Sequence, residues 1–182
     1  MYEQLSADPA RDDLLILVDG LDRTTGYATK EETHRKGLLH RAFSVVLLRE
    51  NGRELLLSRR AESKYHAAGL WANACCSHPR KDETIPEAAR RRLREELGCA
   101  GGSMREIGAF VYRAGFPDGL WEYEYDHVLL GYCQGTVRPS PEEVSEVRWI
   151  SREELASCFQ NQPELFAPWA FMVLSMAMQE ME

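Results

Sequence analysis

Apolar runs broken by short polar stretches divide the chain into segments of strand and helix character. Residues 14–18, 42–48 and 54–59 are apolar, rich in leucine and β-branched side chains, and of strand length. Asn51-Gly52 between the last two is a tight hairpin turn signal. Residues 72–77, 107–112, 122–133 and 147–150 are expected as further strands. Ile85, Ala89, Leu93 and Leu97 recur every fourth residue and predict a helix with one apolar stripe. Thr84 and Glu87 form its capping box, Pro86 stands where a missing N–H costs little, and Gly98 is the stop. Ser151-Arg152-Glu153-Glu154 opens a second helix with its own capping box, and Pro168 opens the last. Mixed strands with a few helices, and no repeats or long linkers, suggest one α+β domain over residues 1–182. Its expected form is an α/β/α sandwich with a mixed β-sheet flanked by helices, preceded by a flexible segment at residues 1–13.

Charge placement adds chemistry to these elements. Along the strand from Trp121, Glu122, Glu124 and Asp126 project to one side and Tyr123, Tyr125 and His127 to the other. Three acids on one face are tolerated against solvent, but facing inward they require a compensating cation. In the helix, Arg92 with Glu96 and Arg91 with Glu95 make i,i+4 pairs, each worth about 0.3–0.5 kcal/mol if solvated. Glu95 and Glu96 nevertheless occupy the last turn, where the helix dipole disfavours each carboxylate by roughly 0.3–1 kcal/mol. That placement favours a metal role for at least one of them.

Composition narrows the class. A chain of 182 residues with 44% hydrophobic content fits one core. No apolar run approaches the roughly 20 residues of a membrane span, and the N-terminus lacks a basic region followed by an apolar one, so a cytoplasmic location is expected. Five cysteines, two of them adjacent, do not suggest a disulfide framework. A net charge of −7 argues against a nucleic-acid partner. A small anion can still be held by a local cationic cluster, because screening at physiological salt acts over about 8 Å. Neither nucleic acid nor membrane is expected as a partner, and the chain is expected to act as a monomer or weak dimer.

From Glu83, seven residues lead to Arg91, and Arg91-Arg92-Leu93-Arg94-Glu95-Glu96-Leu97-Gly98-Cys99 follows. This resembles the Nudix box, with Ser77 in place of its first glycine and Arg92 in place of the glutamate after arginine. An arginine there suits phosphate better than metal. The run Asn73-Ala74-Cys75-Cys76-Ser77-His78-Pro79 is preceded by Lys36-Gly37-Leu38-Leu39-His40-Arg41-Ala42-Phe43-Ser44 and followed by Trp121-Glu122-Tyr123-Glu124. In that order these segments resemble the type 1 isopentenyl-diphosphate isomerases, over residues 15–172.

The resemblance implies a Nudix fold and an isomerase that interconverts isopentenyl and dimethylallyl diphosphate by moving a proton across the allylic system. It maps a divalent metal site, for Mn²⁺ or Zn²⁺, onto His34, His40, His78, Glu122 and Glu124. It maps Mg²⁺, carried with the substrate diphosphate, onto Glu96, and the diphosphate contacts onto Lys30, Arg60, Lys64 and Arg92, with Arg59 and Arg91 as adjacent alternatives. Glu124 is then the acid, helped by Tyr112, Cys76 the base, and Trp169 the aromatic face beside a carbocation. Cys75 and Cys76 point to opposite sides of an extended segment, so one of them faces the substrate, and register with His78 favours Cys76. Glu83, Glu87 and Glu95 are read either as structural or as supporting the metal ligands through hydrogen bonds, and His66 and His127 have no expected role. A Nudix hydrolase is the main alternative, but it calls for glutamate at position 92 and leaves the Cys76–Glu124 pair without a part. The H-x-E followed by P-C-x-x-C of a zinc deaminase is absent here, and a non-catalytic Nudix-fold module leaves the joint presence of thiol, acids, histidines and tryptophan unexplained.

Overall fold

The computed structural model describes residues 14–64, 66–133 and 135–181, so the flexible segment expected at residues 1–13 lies outside the described residues. Among the described residues the strands are β1 (Leu14–Val18), β2 (Thr24–Thr29), β3 (His40–Leu48), β4 (Glu54–Arg60), β5 (Trp71–Ala72), β6 (Cys75–Ser77), β7 (Met104–Gly115), β8 (Trp121–Tyr132) and β9 (Val144–Ser151). The helices are α1 (Lys30–Lys36), α2 (Ile85–Leu97), α3 (Arg152–Asn161) and α4 (Ala170–Met178), with a 3-10 turn at Pro163–Leu165. No helix of the described residues is long and apolar enough to cross a membrane.

The sheet is mixed and organised around β3. On one side β3 runs parallel to β8, with His40 opposite Glu124 and Leu48 opposite Tyr132. On the other it pairs antiparallel with β6, setting Ser44 opposite Cys76. The Asn51-Gly52 turn forms as expected, Gly52 donating to the Arg49 carbonyl at 2.9 Å. The two strands it joins then part after a single pair, Leu48 with Leu55, and β4 goes on to pair with β5 and β9. The sheet therefore splays at the hairpin.

Both faces are covered, so β3 and β4 read as nearly continuous apolar runs rather than alternating ones. Val45 and Leu47 pack with Ala89, Leu93 and Leu97 of α2. Val46 and Leu48 pack on the opposite face with Leu155 of α3 and Val173 and Leu174 of α4. This is the expected helix–sheet–helix sandwich. Ala89, Leu93 and Leu97 of the α2 stripe are buried and Ile85 is half-buried at its start, Glu87 accepts from the Thr84 amide at 2.9 Å, and Gly98 closes the helix at φ 60, returning its N–H to the Arg94 carbonyl.

Two departures matter for the site. The strand expected at 72–77 is two short strands, because Asn73 interrupts it: its side-chain amide donates to the carbonyls of Val45 and Cys75, each at 3.0 Å. That crossing carries the chain from the edge of β4 to the edge of β3. Residues 24–36, for which no element is expected, form β2 and α1. In α1 the Thr29 hydroxyl accepts from the Glu32 amide and Gly37 closes the helix at φ 60. With only seven residues, α1 is too short to show an apolar period, and it buries just Thr33 and His34.

Candidate active site

The register of β3 assembles a cluster of histidines and acids. His40 opens β3 beside Glu124 on β8, His78 follows β6, and α1 brings in His34. The imidazole centroids of His34, His40 and His78 lie 4.8–5.6 Å apart. Glu122 joins them, and the four residues present donor atoms all within 4.8 Å of one another. The acidic face of β8 points inward: Glu122, Glu124 and Asp126 are all buried.

The hydrogen bonds show where the lone pairs go. His40 Nδ1 lies 2.8 Å from the Leu38 carbonyl oxygen, so that nitrogen carries the hydrogen and Nε2 presents its lone pair inward. That Nε2 is 3.1 Å from His78 Nε2, which is 2.8 Å from Glu124 Oε1. Glu122 Oε2 is buried, makes no hydrogen bond among the described residues, and lies 3.5 Å from His34 Nε2. Burial first, and then the neighbouring imidazoles, depress His34 to about 3. Burial likewise holds His78 down to about 4. Neutral imidazole is the form that binds metal. Inward-facing nitrogens, an orphaned carboxylate oxygen and a mixed N/O donor set fit a divalent metal ion.

The two glutamates are driven apart. Burial, and then the neighbouring Glu124 charge, push Glu122 well above the usual carboxylate range. For Glu124 the burial is outweighed by hydrogen bonds to His40 and His78, which hold it well below that range. Tyr112, paired with Glu124 across β7 and β8, donates to its Oε2 at 2.5 Å.

A cavity adjoins this cluster. Lys30, Arg60, Lys64 and Arg92 line it together with Cys76, Tyr112, Glu124 and Trp169. Cys76 Sγ donates to Asn73 Oδ1 at 3.1 Å and lies 3.4 Å from Ser44 Oγ, which donates to Asp126 at 2.7 Å. Burial, and then the Asp126 charge, push the Cys76 thiol up to about 12. Cys75 faces the other way, into the core beneath α2. Trp169 is buried, with the Arg60 guanidinium 5.2 Å from its ring centroid.

Comparison with known proteins places this arrangement. The NUDIX domain family model matches residues 38–170. An isopentenyl-diphosphate Delta-isomerase of Burkholderia multivorans is 47% identical over 155 residues, 85% of this chain and 87% of that one. Another, of Photobacterium profundum, is 45% identical over 173 residues, 92% of this chain and 95% of that one. The chain belongs to the isopentenyl-diphosphate Delta-isomerase family. Solved structures carry the fold further afield. A Deinococcus radiodurans protein superposes with TM-score 0.70 at 22% identity, covering 90% of this chain and 98% of that one. A MutT NUDIX hydrolase from Burkholderia pseudomallei gives 0.60 at 19% identity, covering 78% and 97%.

Within this isomerase-family chain, the site residues expected from sequence lie at the cavity or in the histidine cluster, except Glu96. Glu96 stands behind the cavity wall: its Oε1 accepts from Arg92 at 2.6 Å, and Arg92 also reaches Glu95 and Glu143. Lys64 is ion-paired to the same Glu143. The alternatives to Arg60 and Arg92 are turned away, Arg59 donating to the Gly69 carbonyl and Arg91 making two 2.8 Å bonds to Glu83. Both Glu83 oxygens are thus engaged, and Oε2 also accepts from the Arg80 amide at 2.9 Å. His127, for which no role is expected, bridges Glu106 and Asp22 at 3.1 Å each. Sequence reasoning missed Asn73, Ser44 and Glu143 as organisers of the site, and it gave His66 no role although that ring lines the cavity. Asn73 and Ser44 lie within the motif runs quoted from the sequence, whereas Glu143 and His66 carry no local pattern that would have flagged them.

Proposed function

We propose that the chain interconverts isopentenyl diphosphate and dimethylallyl diphosphate by allylic 1,3-proton transfer through a tertiary carbocation. The observation that carries this reading is the placement of a thiol and a carboxyl on the two strands flanking β3, Cys76 on β6 and Glu124 on β8, both lining one cavity. The reaction needs an acid and a base on either side of a small hydrocarbon.

Lys30, Arg60, Lys64 and Arg92 would take the diphosphate, arginine gripping phosphate bidentately and lysine as a point charge. Glu124, with Tyr112 donating to it, gives a proton to the terminal alkene carbon. Positive charge then resides on the branched carbon, and Cys76 takes a proton from the neighbouring methylene as the new double bond forms. One proton enters the substrate and one leaves. The pair therefore shares a single proton between two states, and a neutral thiol with an ionised carboxylate is the state that the forward reaction leaves and the reverse reaction uses. Trp169 would offer its ring to the cation, a contact worth about 2 kcal/mol or more when desolvated.

His34, His40, His78, Glu122 and Glu124 would hold Mn²⁺ or Zn²⁺, and Glu96 would hold Mg²⁺ together with the diphosphate. When bound, these ions supply positive charge that orients Glu124 and neutralises the phosphates. We take the chain to work in the cytoplasm on this small-molecule substrate, as a monomer or weak dimer.

The test is proton NMR of the protein with isopentenyl diphosphate and Mg²⁺ in D₂O, repeated with Cys76→Ala and Glu124→Gln. The expected result is dimethylallyl diphosphate carrying solvent deuterium, lost in both variants. Release of inorganic phosphate without isomerisation would assign the chain to diphosphate hydrolysis instead.

A further inference from the structure

His66 lies in the loop between β4 and β5 and lines the same cavity, but the chemistry above gives it no part. Its Nε2 is 2.8 Å from Glu122 Oε1. The other oxygen of that carboxylate, Oε2, lies 3.5 Å from His34 Nε2, on the side of the histidine cluster. The His66 ring also packs 4.8 Å from Phe116 and meets Trp169 edge-on, with centroids 6.0 Å apart. Its carbonyl accepts from Arg60 Nη2 at 3.2 Å, so the main chain at this point is tied to a residue of the cationic wall.

A carboxylate that serves a metal through one oxygen is free to rotate unless its second oxygen is held. Groups that hold ligands in this way affect metal affinity nearly as strongly as the ligands do. We propose that His66 is a positioning residue for the metal site: its Nε2–H donates to Glu122 Oε1 and so turns Oε2 toward His34, His40 and His78. The same ring rests against Trp169, so one side chain sets both a metal ligand and the aromatic wall of the cavity. A neutral imidazole has a single N–H, and a carboxylate acceptor at Nε2 places it there. Glutamine at position 66 would present an N–H from a similar distance, whereas leucine would fill the space and donate nothing.

This rests on the metal-site reading given above, and the experiment separates the two. Zn²⁺ affinity is measured by competition with a chromophoric chelator for the unaltered protein and for His66→Leu, His66→Gln and His34→Ala. Steady-state kinetics on isopentenyl diphosphate and thermal melts are run on the same preparations. His66→Leu is expected to bind Zn²⁺ about 10–100-fold more weakly, with kcat lowered and KM little changed, and His66→Gln to recover most of the affinity. If His66→Leu melts earlier yet binds Zn²⁺ as tightly as the unaltered protein, His66 is only a packing residue and the proposal is wrong. Equal failure of His66→Gln and His66→Leu to bind Zn²⁺ would also count against it, because the donated hydrogen bond would not be what matters. If His34→Ala binds Zn²⁺ undiminished, the histidine cluster is not the metal site and both readings fall.

Discussion

Tyr112 and Glu124 face each other across the β7–β8 ladder, and the phenol donates to the carboxylate Oε2 at 2.5 Å. The other oxygen, Oε1, meets His78 at 2.8 Å. Both carboxylate oxygens are therefore held before any substrate arrives. A hydrogen bond to a charged group contributes roughly 1.5–3 kcal/mol, so Tyr112→Phe should lower kcat about 10–100-fold and leave KM for isopentenyl diphosphate nearly unchanged. Steady-state kinetics check this, and a rise in KM at constant kcat would place Tyr112 in substrate binding instead.

Arg92 shields the Glu96 carboxylate and lines the cavity. Removing one partner of a fully buried ion pair costs about 3–5 kcal/mol. Arg92 keeps some exposure, so Arg92→Ala is expected to destabilise by roughly 1–3 kcal/mol in urea denaturation. The same variant should raise KM for isopentenyl diphosphate. Arg92→Lys keeps the charge without the planar fork and should fall between the two.

One buried and two largely covered imidazoles give the metal-free protein a pH-dependent stability. His34 and His66 are depressed to about 3 and His78 to about 4, each chiefly by burial. An unfolded histidine protonates near 6.5, so below that pH the unfolded chain binds protons that the folded chain refuses. Stability contributed by neutral burial is present in full above about 6.5 and is lost as pH falls toward 4. Melts of chelated protein should show Tm falling across that window, with a shallower fall in His66→Gln. A flat Tm between pH 7 and 4.5 would contradict it.

Leu93 is fully buried where α2 meets the sheet, among Leu97, Ala89, Leu47 and Leu129. Leu93→Ala should cost about 2–5 kcal/mol, the usual range for an unfilled core cavity. Because α2 also carries Arg92 and Glu96, KM should rise with the loss of stability. Urea unfolding and kinetics on the same sample test the two together.

Locally encoded features could be read from the chain. The four-residue spacing of Ile85, Ala89, Leu93 and Leu97, the Thr84–Glu87 cap and the Gly98 stop depend on neighbours within one or two turns, and α2 forms as they indicate. The Asn51-Gly52 turn is equally local. Motif order also carried the site residues, because those side chains are distinctive even before their partners are known. By contrast, β2 and α1 were not legible. Their segment is polar and short, and α1 is held by capping and by tertiary burial of Thr33 and His34 rather than by an apolar stripe of its own.

By itself the sequence determined the element types where a period or a cap is present, the Nudix character of α2, and the set of side chains able to do acid–base and metal chemistry. Only the tertiary structure decided which of them meet. Strand pairing sets His40 beside Glu124 and Ser44 beside Cys76, the Asn73 amide moves the chain from one strand edge to another, and a loop delivers His66 to Glu122. Whether the acids of β8 faced water or the interior was equally undecided, since period-two alternation assigns side chains to two faces without saying which face is covered. Helices packed on both sides of the sheet resolved it. Those contacts join residues far apart in the chain, and their energies depend on burial and on partners that no local pattern encodes.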